Sequence, residues 1–505
     1  MNSEPELTSL IWDYENQHYL KHAGKEYLLP ATPLTSLGDP RFCEAFGLSL
    51  PYVAGAMANG IASEDLVAAM ADHRMLGIYG AAGLGIPRIE AAIDRLQNRI
   101  GHRAFGVNLI HAPSEPQWEQ DLVDLLIRKN VAVVEASAFM SLTYPLIYYR
   151  VKGIRREQDG KIVAPHRVIA KASRVELAEK FFSPPPVDML RRLYEDGYIS
   201  AEEAHLAQFM PVASYVTAEA DSGGHTDNRP ALTLFPTFKA LRDKMQAIHE
   251  YHEPLMLGLA GGMATPSSVA AAFAMGAAYV MGGSIHQACL EAGTSPKVKA
   301  LLSQVSQADV VMAPAADMFE MGVQVQVLKK GTMFPMRARK LYELYKTHNS
   351  IEDLAPNDLA MLESQIFRQS IDQVWSETQA FFRARDPEKL ERCEDRPKLK
   401  MALIFRWYLG QASKWANEGL DGREMDYQVW CGPAMGAFNR WTAGTYLAQP
   451  AQRKAPLVAR NLVLGALALH RLQILRSQGF DTMQLSSDVD QPLPEEKIKQ
   501  ILREG

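Results

Sequence analysis

Two pairs of adjacent glycines have the residue type and spacing of a phosphate-binding site. Gly261-Gly262 and Gly282-Gly283 begin 21 residues apart, and Ser284 follows the second pair. Each pair comes directly after a short apolar segment predicted as a strand and directly before a predicted helix. Glycine has no Cβ, so a phosphate can approach the N–H groups at the beginning of the helix. Plain tight turns are the alternative, but two such turns one β/α unit apart favour phosphate binding.

A third glycine pair lies beside an acidic residue and a histidine. The segment Asp221-Ser222-Gly223-Gly224-His225 follows another predicted strand. Its glycines would let the backbone lie flat against a planar cofactor, and the imidazole could donate a proton near neutral pH. A loop histidine held by a structural hydrogen bond is the alternative, and the segment taken alone favours that alternative.

Three further strand ends carry residues suited to a flat heterocyclic ring. Gly55-Ala56-Met57 offers small residues against which a ring could rest. Asn108 has an amide that can both donate and accept hydrogen bonds at a ring edge. Lys171 would place a cation near a ring that becomes anionic on reduction. Core packing, an amide that satisfies its own turn, and a solvated surface charge are the respective alternatives.

These residues need a scaffold that brings strand ends together. Eight short apolar segments alternate with segments of helical periodicity in the first two thirds of the chain. This alternation predicts a parallel (β/α)8 TIM-type barrel, an α/β fold whose active face is at the C-terminal ends of its strands. The predicted strands are Tyr52–Ala54, Leu76–Tyr79, Ala104–Leu109, Ala132–Glu135, Val168–Ala170, Ala213–Val216, Leu255–Leu259 and Tyr279–Met281.

The rest of the chain is divided by composition and periodicity. We expect an N-terminal extension over residues 1–30, the barrel over 31–340, and a helical C-terminal domain over 341–505. Segments at about 139–166 and 181–208 are predicted as insertions that follow strand ends and form lids over the site. Five of the seven tryptophans lie after Lys340. Exposed clusters of tryptophan seldom face water, so a homodimer is expected.

Composition excludes several classes of protein. Of 505 residues, 47% are hydrophobic and 22% charged, which is typical of a globular protein, and the net charge of −5 disfavours nucleic-acid binding through bulk charge. The four cysteines lack the spacing of a zinc site or disulfide framework, so we expect no metal and a reducing, cytoplasmic compartment. No segment has the length and hydrophobicity of a membrane span, and the acidic N-terminus does not predict a signal peptide.

The order of the strand-end motifs resembles the nitronate monooxygenase superfamily of FMN-binding barrels, which includes FMN enoyl reductases of bacterial fatty acid synthesis. The motifs are Gly-Ala-Met after the first strand, Gly-Val-Asn-Leu after the third, Ser-Gly-Gly-His after the sixth, Ala-Gly-Gly-Met after the seventh and Met-Gly-Gly-Ser after the eighth. More closely, the segments 168–178, 218–230 and 426–439 are similar to the PfaD family, trans-acting enoyl reductases of polyunsaturated fatty acid and polyketide synthases.

The resemblance implies an oxidoreductase that uses FMN, with NADPH or NADH as hydride donor, to reduce trans-2-enoyl thioesters on acyl carrier protein. It implies that His225 is the histidine of the enoyl-reductase motif, acting as a hydrogen-bond donor to the enolate or as its proton source. The FMN contacts that it implies are Gly261, Gly262, Gly282, Gly283 and Ser284 at the phosphate, Gly55, Ala56 and Met57 at the ring, Asn108 and Lys171 at the polar ring edge, and Asp221, Ser222, Gly223 and Gly224 alongside.

Other interpretations stay open at this stage. Arg150, Lys152, Arg155 and Arg156 lie in the first predicted lid, where they could attract an acidic carrier protein, although a solvated charge cluster explains them equally well. A nitronate monooxygenase that uses FMN and O2 would share the barrel motifs. A non-catalytic scaffold of a synthase complex would use the helical region as its interface.

Overall fold

The structure is a computed structural model that describes residues 4–113, 115–482 and 489–503. The chain forms two compact units. The barrel unit consists of Met1–Asp221, Asp227–Gly293 and Ala437–Gly505, and the inserted unit consists of Ser222–Thr226 and Thr294–Gly436. Among the described residues, no helix combines the length and the hydrophobicity needed to cross a bilayer.

The described strands and helices are numbered along the chain. The strands are β1 (His18–His22), β2 (Lys25–Leu29), β3 (Tyr52–Ala54), β4 (Leu76–Tyr79), β5 (Gly106–Ile110), β6 (Val133–Ser137), β7 (Arg155–Arg156), β8 (Ile162–Val163), β9 (Arg167–Ala172), β10 (Tyr215–Glu219), β11 (Gly224–His225), β12 (Met256–Ala260), β13 (Val280–Gly282), β14 (Val310–Pro314) and β15 (Gln324–Leu328). The helices are α1 (Glu4–Trp12), α2 (Pro40–Phe46), α3 (Glu64–Asp72), α4 (Ile86–Ile100), α5 (Pro116–Arg128), α6 (Tyr144–Val151), α7 (Val175–Phe182), α8 (Val187–Glu195), α9 (Ala201–Leu206), α10 (Ala231–His249), α11 (Pro266–Met275), α12 (Ser284–Gln287), α13 (Pro296–Leu302), α14 (Phe334–Thr347), α15 (Pro356–Met361), α16 (Ile371–Arg385), α17 (Pro387–Glu394), α18 (Pro397–Glu418), α19 (Ala434–Thr442), α20 (Ala455–Ser477) and α21 (Glu495–Leu502).

The barrel unit contains the closed parallel barrel that the sequence predicts. Its strands follow one another around the ring in chain order, β3, β4, β5, β6, β9, β10, β12 and β13, and β13 pairs with β3 to close it. Each of the eight predicted strands overlaps one of these. The predicted start of α11 is also confirmed, because Thr265 caps the helix with its side chain and Pro266 is its first residue. All strand ends therefore point to one mouth.

Helix α2 covers the end of the barrel where the strands begin. Phe42 stacks on Tyr279 with ring centroids 4.2 Å apart, and it contacts Tyr215 edge-on. Phe46 packs into the same cluster, against side chains near the strand starts such as Val53 and Val133. This apolar cluster fills the lower half of the barrel and leaves polar residues for the other mouth.

Most of the two predicted lids lies at this strand-start end, and these parts therefore do not cover the strand-end mouth as the lid interpretation expects. Residues 139–166 contain α6, which is the ordinary helix after β6, and a hairpin of β7 and β8 that leads into the start of β9. Lys161 in that hairpin pairs with Glu253, which precedes β12. Residues 181–208 begin at the end of α7 and contain α8 and α9, which lead into β10.

The basic residues of the first predicted lid are correspondingly unsuited to carrier binding at the strand-end mouth. Arg150 is buried, and its guanidinium donates to the carbonyls of His166 at 2.7 Å and Pro211 at 3.1 Å, which precede β9 and β10. Lys152 donates to the carbonyl of Tyr198 at 2.7 Å. These residues fasten the two insertions to the barrel.

The eighth helix of the barrel comes from the C-terminal region. After β13 the chain forms the short helix α12, then the inserted unit, and returns to the barrel unit with α20. Helix α20 packs against α11 on one side and α3 on the other, which is the position between the seventh and first barrel helices. The division predicted at residue 340 therefore differs from the observed units, because residues 437–505 belong with the barrel.

Helix α20 also holds the N-terminal extension. Arg471 is completely buried, and its guanidinium donates to the hydroxyl of Thr32 and to the carbonyls of Leu10, Asp13, Tyr14 and Pro30. These five backbone or hydroxyl acceptors replace water around the buried cation. The extension of α1, β1 and β2 is thus part of the barrel unit.

The inserted unit is mostly helical, with a small antiparallel sheet in the order β11-β15-β14. Helix α18 packs against α14, α16 and α17. The five tryptophans that follow Lys340 are all buried or half-buried. Trp407, for example, contacts Phe367 and Trp415 within its own unit. These tryptophans give no direct support to the predicted homodimer, which stays a prediction.

The close contact between α11 and α20 gives a test of the eighth-helix assignment. A Cβ on Gly465 would lie 2.6 Å from Cγ of Pro266, whose ring cannot move aside. We expect Gly465→Ala to lower the free energy of unfolding by about 1–3 kcal/mol, measured by urea denaturation. Gly410→Ala is the matched control, because that helical glycine is exposed with nothing within 4 Å of its Cβ position. It should stabilise by up to about 1 kcal/mol; loss of stability in both variants would contradict the assignment.

Candidate active site

In the turn after β12, neighbouring backbone excludes a side chain at one glycine and leaves space for one at the other. Gly261 and Gly262 have φ angles of +85° and +79°, which favour glycine. A Cβ on Gly261 would lie 2.6 Å from the carbonyl carbon of Ala220, whereas a Cβ on Gly262 would meet nothing within 4 Å. The turn therefore needs two glycines for its backbone, and only Gly262 faces open space.

The turn after β13 repeats this arrangement. A Cβ on Gly282 would lie 2.3 Å from the hydroxyl oxygen of Tyr52, whereas one on Gly283 would meet nothing within 4 Å. Ser284 begins α12 directly after Gly283. Both turns follow neighbouring strands at the same mouth, as the sequence predicts, and each presents one uncovered stretch of backbone there.

The segment after β3 is tied to both of its neighbours in the mouth. The N–H of Gly55 donates to the carbonyl of Gly282 at 3.0 Å, and the N–H of Ala56 donates to a carboxylate oxygen of Glu135 at 3.2 Å. A Cβ on Gly55 would lie 2.9 Å from the side chain of Met281. Ala56 and Met57 are half-buried at the rim. The three predicted ring-contact residues thus form one fixed loop.

Asn108 is buried beside the same carboxylate residue. Its Nδ2 donates to the carbonyl of Glu135 at 3.1 Å and to the hydroxyl of Ser137 at 2.8 Å. Both amide hydrogens are therefore used within the barrel. A ring edge could use only the Oδ1 atom of Asn108 as a hydrogen-bond acceptor.

Lys171 lies between two carboxylates rather than alone at the mouth. Its Nζ donates to Oε1 of Glu219 at 2.9 Å and lies 3.6 Å from Oε1 of Glu135. Burial alone would lower the pKa of the Lys171 ammonium, but Glu219 and Glu135 raise it above its usual value overall. The residue stays cationic, and its charge is compensated within the barrel.

Sequence reasoning missed Glu135 and Glu219. The available signal for Glu135 is its place inside the apolar strand β6, where the segment Val133-Val134-Glu135-Ala136 has one charged residue among buried positions. Burial raises the pKa of Glu135, and Lys171 offsets part of that effect. A charged residue in the middle of a completely buried strand therefore marks the centre of the site.

The segment that carries the third glycine pair is divided between the two units. Asp221 belongs to the barrel unit, where its carboxylate accepts from the side-chain amide of Asn228 at 2.8 Å. Ser222–Thr226 belongs to the inserted unit, where β11 pairs with β15. A Cβ on Gly223 would lie 2.9 Å from the backbone of Cys431, so this glycine is required by chain packing. The expectation that it lies flat on a cofactor has no support from that contact.

His225 has a carboxylate partner that sequence reasoning did not identify. Its Nε2 lies 3.2 Å from Oδ1 of Asp317, in the loop between β14 and β15. Burial of Asp317 would raise the pKa of its carboxyl, but His225 and local backbone N–H groups lower it overall. The pairing holds one imidazole nitrogen and leaves the ring partly exposed. The 92-residue separation explains why no motif reveals it.

A buried histidine supports the second glycine turn. His286 is completely buried, and its Nε2 is 2.8 Å from the hydroxyl of Tyr52, the group that excludes a Cβ at Gly282. Burial lowers the pKa of His286 to about 4. The imidazole is therefore neutral near pH 7 and packs as part of the turn.

That shift predicts a pH dependence of stability. The unfolded histidine has a pKa of about 6.5, so the unfolded chain binds more protons and stability decreases as the pH falls from that value towards about 4. We expect His286→Gln to show a smaller loss between pH 7 and pH 5 than the unsubstituted protein, measured by urea unfolding. Substitution of the exposed His252 should leave the pH slope unchanged. An unaltered slope in His286→Gln would contradict the assignment.

Comparison with known proteins agrees with this geometry. Residues 42–353 match the family model described as nitronate monooxygenase, and residues 348–427 match the inserted helical domain of [acyl-carrier-protein] S-malonyltransferase. The chain is 46% identical to a component of the polyunsaturated fatty acid synthase of Thraustochytrium sp., covering 90% of this chain and 31% of that protein. It is 43% identical to polyketide biosynthesis protein PksE of Bacillus subtilis, covering 88% and 58%. The chain thus spans less than two thirds of the length of each of these relatives.

One solved structure is covered over its whole length by the match to this chain. The enoyl reductase domain of MlnA, from the macrolactin biosynthesis cluster of Bacillus amyloliquefaciens, superposes with a TM-score of 0.84 at 36% sequence identity. The match covers 88% of this chain and 100% of that domain. The resemblance predicted from the strand-end motifs is confirmed, and the chain belongs to the nitronate monooxygenase family.

Proposed function

We propose that the chain is a flavin-dependent enoyl reductase that reduces trans-2-enoyl thioesters on acyl carrier protein, with NADPH or NADH as hydride donor. The observation that carries this proposal is the match to the complete MlnA enoyl reductase domain. The synthase components among the relatives support it, because chain elongation in polyunsaturated fatty acid or polyketide synthesis generates enoyl thioesters.

The strand-end mouth fits FMN. The two uncovered backbone positions, Gly262 and Gly283, leave the space that a phosphate needs beside backbone N–H groups. Gly55, Ala56 and Met57 offer a small, fixed surface for the ring. When bound, FMN would accept a hydride from the nicotinamide and supply it to the β-carbon of the enoyl thioester.

The polar edge of this site does not offer the isolated cation that the sequence predicts. Lys171 would hold the ring edge with an ammonium already shared between Glu219 and Glu135. Asn108 would contribute its Oδ1 atom. The ring edge would therefore meet an ammonium whose charge two carboxylates already offset, so Lys171 would contribute hydrogen-bonding direction more than free positive charge.

His225 is the proposed group that assists the enolate, and Asp317 would orient it. His225 follows β10 by six residues and carries the Asp317 partner on its Nε2. His225→Gln keeps an N–H donor but cannot transfer a proton. We expect turnover to fall about 100-fold if His225 is the proton source and about tenfold if it only donates a hydrogen bond. Asp317→Asn should also lower turnover, because the imidazole loses the carboxylate that orients it. A rate unchanged in both variants would exclude His225 from the reaction.

The carrier-protein partner is supported by the relatives and by the inserted unit. Residues 348–427 match a helical domain from an enzyme named for its acyl-carrier-protein substrate. The basic residues of the first predicted lid give no support, because Arg150 and Lys152 are bonded at the strand-start end. Activity on a carrier-bound thioester should exceed that on a short thioester mimic. The homodimer stays a prediction, which light scattering after size-exclusion chromatography would test.

The decisive experiment for the function is an anaerobic spectroscopic cycle. NADPH should bleach the flavin absorption of the purified protein, and a trans-2-enoyl thioester should restore it without oxygen. Bleaching without recovery would exclude the enoyl substrate. No flavin spectrum after addition of FMN would exclude the whole proposal and favour a scaffold.

The family match favours one alternative function, a nitronate monooxygenase. It keeps the same flavin site and changes the substrate to an alkyl nitronate and O2. Oxygen uptake with a nitronate, together with failure of the enoyl thioester to reoxidise the flavin, would establish it.

A further inference from the structure

Glu135 is a completely buried carboxylate at the centre of the barrel unit with an incomplete set of partners. One oxygen, Oε2, accepts the N–H of Ala56 at 3.2 Å. The other, Oε1, makes no hydrogen bond within 3.5 Å among the described residues, and it is held only by a longer ion pair with Lys171 at 3.6 Å. Burying a charge is costly unless it is paired and hydrogen-bonded, so an apolar residue would be cheaper here. An incompletely satisfied buried carboxylate indicates a functional requirement.

The unsatisfied oxygen faces the ammonium of Lys171 across neighbouring strands. Glu135 in β6 is level with Ile169 in β9, and Lys171 is two residues closer to the mouth on the same face of β9. Lys171 is level with Thr217 in β10, and Glu219 is again two residues further along. The side chains are 0%, 15% and 20% exposed in the order Glu135, Lys171, Glu219. The three groups thus rise stepwise from the core to the mouth.

Glu135 contacts two separate parts of the proposed flavin site. Its Oε2 holds the backbone of the loop after β3, and its Oε1 lies 3.6 Å from the ammonium of Lys171. Its backbone carbonyl also accepts from Asn108. Among the described residues, Glu135 is the carboxylate that contacts both Ala56 and Lys171.

We propose that Glu135 is a positioning residue for the flavin site. Its carboxylate joins the loop Gly55–Met57 to the ammonium of Lys171 and thereby sets the distance between that loop and that ammonium. This inference rests on the proposed function. It assigns Glu135 a role through Ala56 and Lys171, without contact to the substrate.

Two variants separate the hydrogen bond from the charge. Glu135→Gln keeps an oxygen for the Ala56 N–H but removes the negative charge that faces Lys171. Glu135→Ala removes both and leaves a buried N–H unsatisfied. Glu119→Gln is the matched control, because Glu119 is also a buried carboxylate of the barrel unit, held by Thr143 and the N–H of Ala112. These partners of Glu119 lie outside the proposed flavin site.

The experiment measures FMN binding by fluorescence titration of the apoprotein, and the midpoint potential of the bound flavin. We expect Glu135→Gln to raise the Kd for FMN about tenfold and to shift the potential to more positive values, because a negative charge near the reducible ring is lost. Glu135→Ala should raise the Kd further. Glu119→Gln should match the unsubstituted protein in both measurements. Lys171→Met combined with Glu135→Gln should change the Kd less than the sum of the single changes, in logarithmic units.

The outcomes distinguish this inference from the proposed function. An unchanged Kd and potential in Glu135→Gln would overturn the positioning role, whatever the substrate. Equal changes in Glu135→Gln and Glu119→Gln would also overturn it, because they would reflect a general loss of packing. If the unsubstituted protein binds FMN but does not reduce enoyl thioesters, the function fails while the Glu135 comparison still stands.

Discussion

Replacing Asp426 by asparagine is expected to destabilise the inserted unit by about 3–5 kcal/mol. Asp426 is completely buried, and its carboxylate is held by the guanidinium groups of Arg337 and Arg423 and by the hydroxyl of Tyr408. A third guanidinium, that of Arg368, lies 3.7 Å away. The substitution preserves the shape but leaves three cations around a neutral amide. Urea unfolding followed by tryptophan fluorescence would measure the loss.

A second ion-paired aspartate in the same unit provides the control. Asp421 pairs with Lys297, but its side chain is 96% exposed. Solvent screens such a pair, so Asp421→Asn should change stability by no more than about 0.5 kcal/mol. Similar losses from the two substitutions would show that burial of Asp426 does not determine its contribution.

Substituting Gly283 by valine is expected to weaken FMN binding about 100-fold without loss of fold. A Cβ on Gly283 meets nothing within 4 Å, so a side chain at this position has space around it. The valine would instead fill the space in which we propose the phosphate, and it would separate the phosphate from the N–H groups at the start of α12. Titration of the apoprotein with FMN would measure the change.

Gly85→Val is the control for that substitution. Gly85 precedes α4 with an extended backbone, and its Cβ position is 3.9 Å from the nearest atom, in Pro87. It should bind FMN like the unsubstituted protein. If Gly283→Val binds FMN as tightly as the unsubstituted protein, the phosphate lies elsewhere. If circular dichroism shows that Gly283→Val is unfolded, position 283 does not have the space for a side chain that we infer.

The barrel and its glycine turns were predictable because their signals are local. A strand such as Tyr52–Ala54 and a turn such as Gly282-Gly283 are each defined within a few residues. The ends of parallel strands meet at one mouth whatever the insertions between them. Local patterns therefore identify both the scaffold and the positions around its mouth.

The misplaced features depend on contacts between distant segments. Helical periodicity does not show at which end of the barrel a helix lies. The sequence alone therefore predicts the segment that contains α8 and α9 as a lid. Asp317 meets His225 from 92 residues away. Lys171 has the same residue type whether its charge is free or shared, and only the tertiary structure brings it to Glu135 and Glu219.

The late position of α20 has a consequence for how the chain folds during synthesis. Seven β/α units are complete by residue 282, but the helix that packs between α11 and α3 begins at residue 455. At ribosomal rates of about 5–20 residues per second, roughly ten to forty seconds pass before that helix is complete. During this interval α20 is not yet present to pack against the apolar surfaces of α11 and α3. A nascent chain in this state exposes apolar surface until α20 emerges, and exposed apolar surface favours association with other chains.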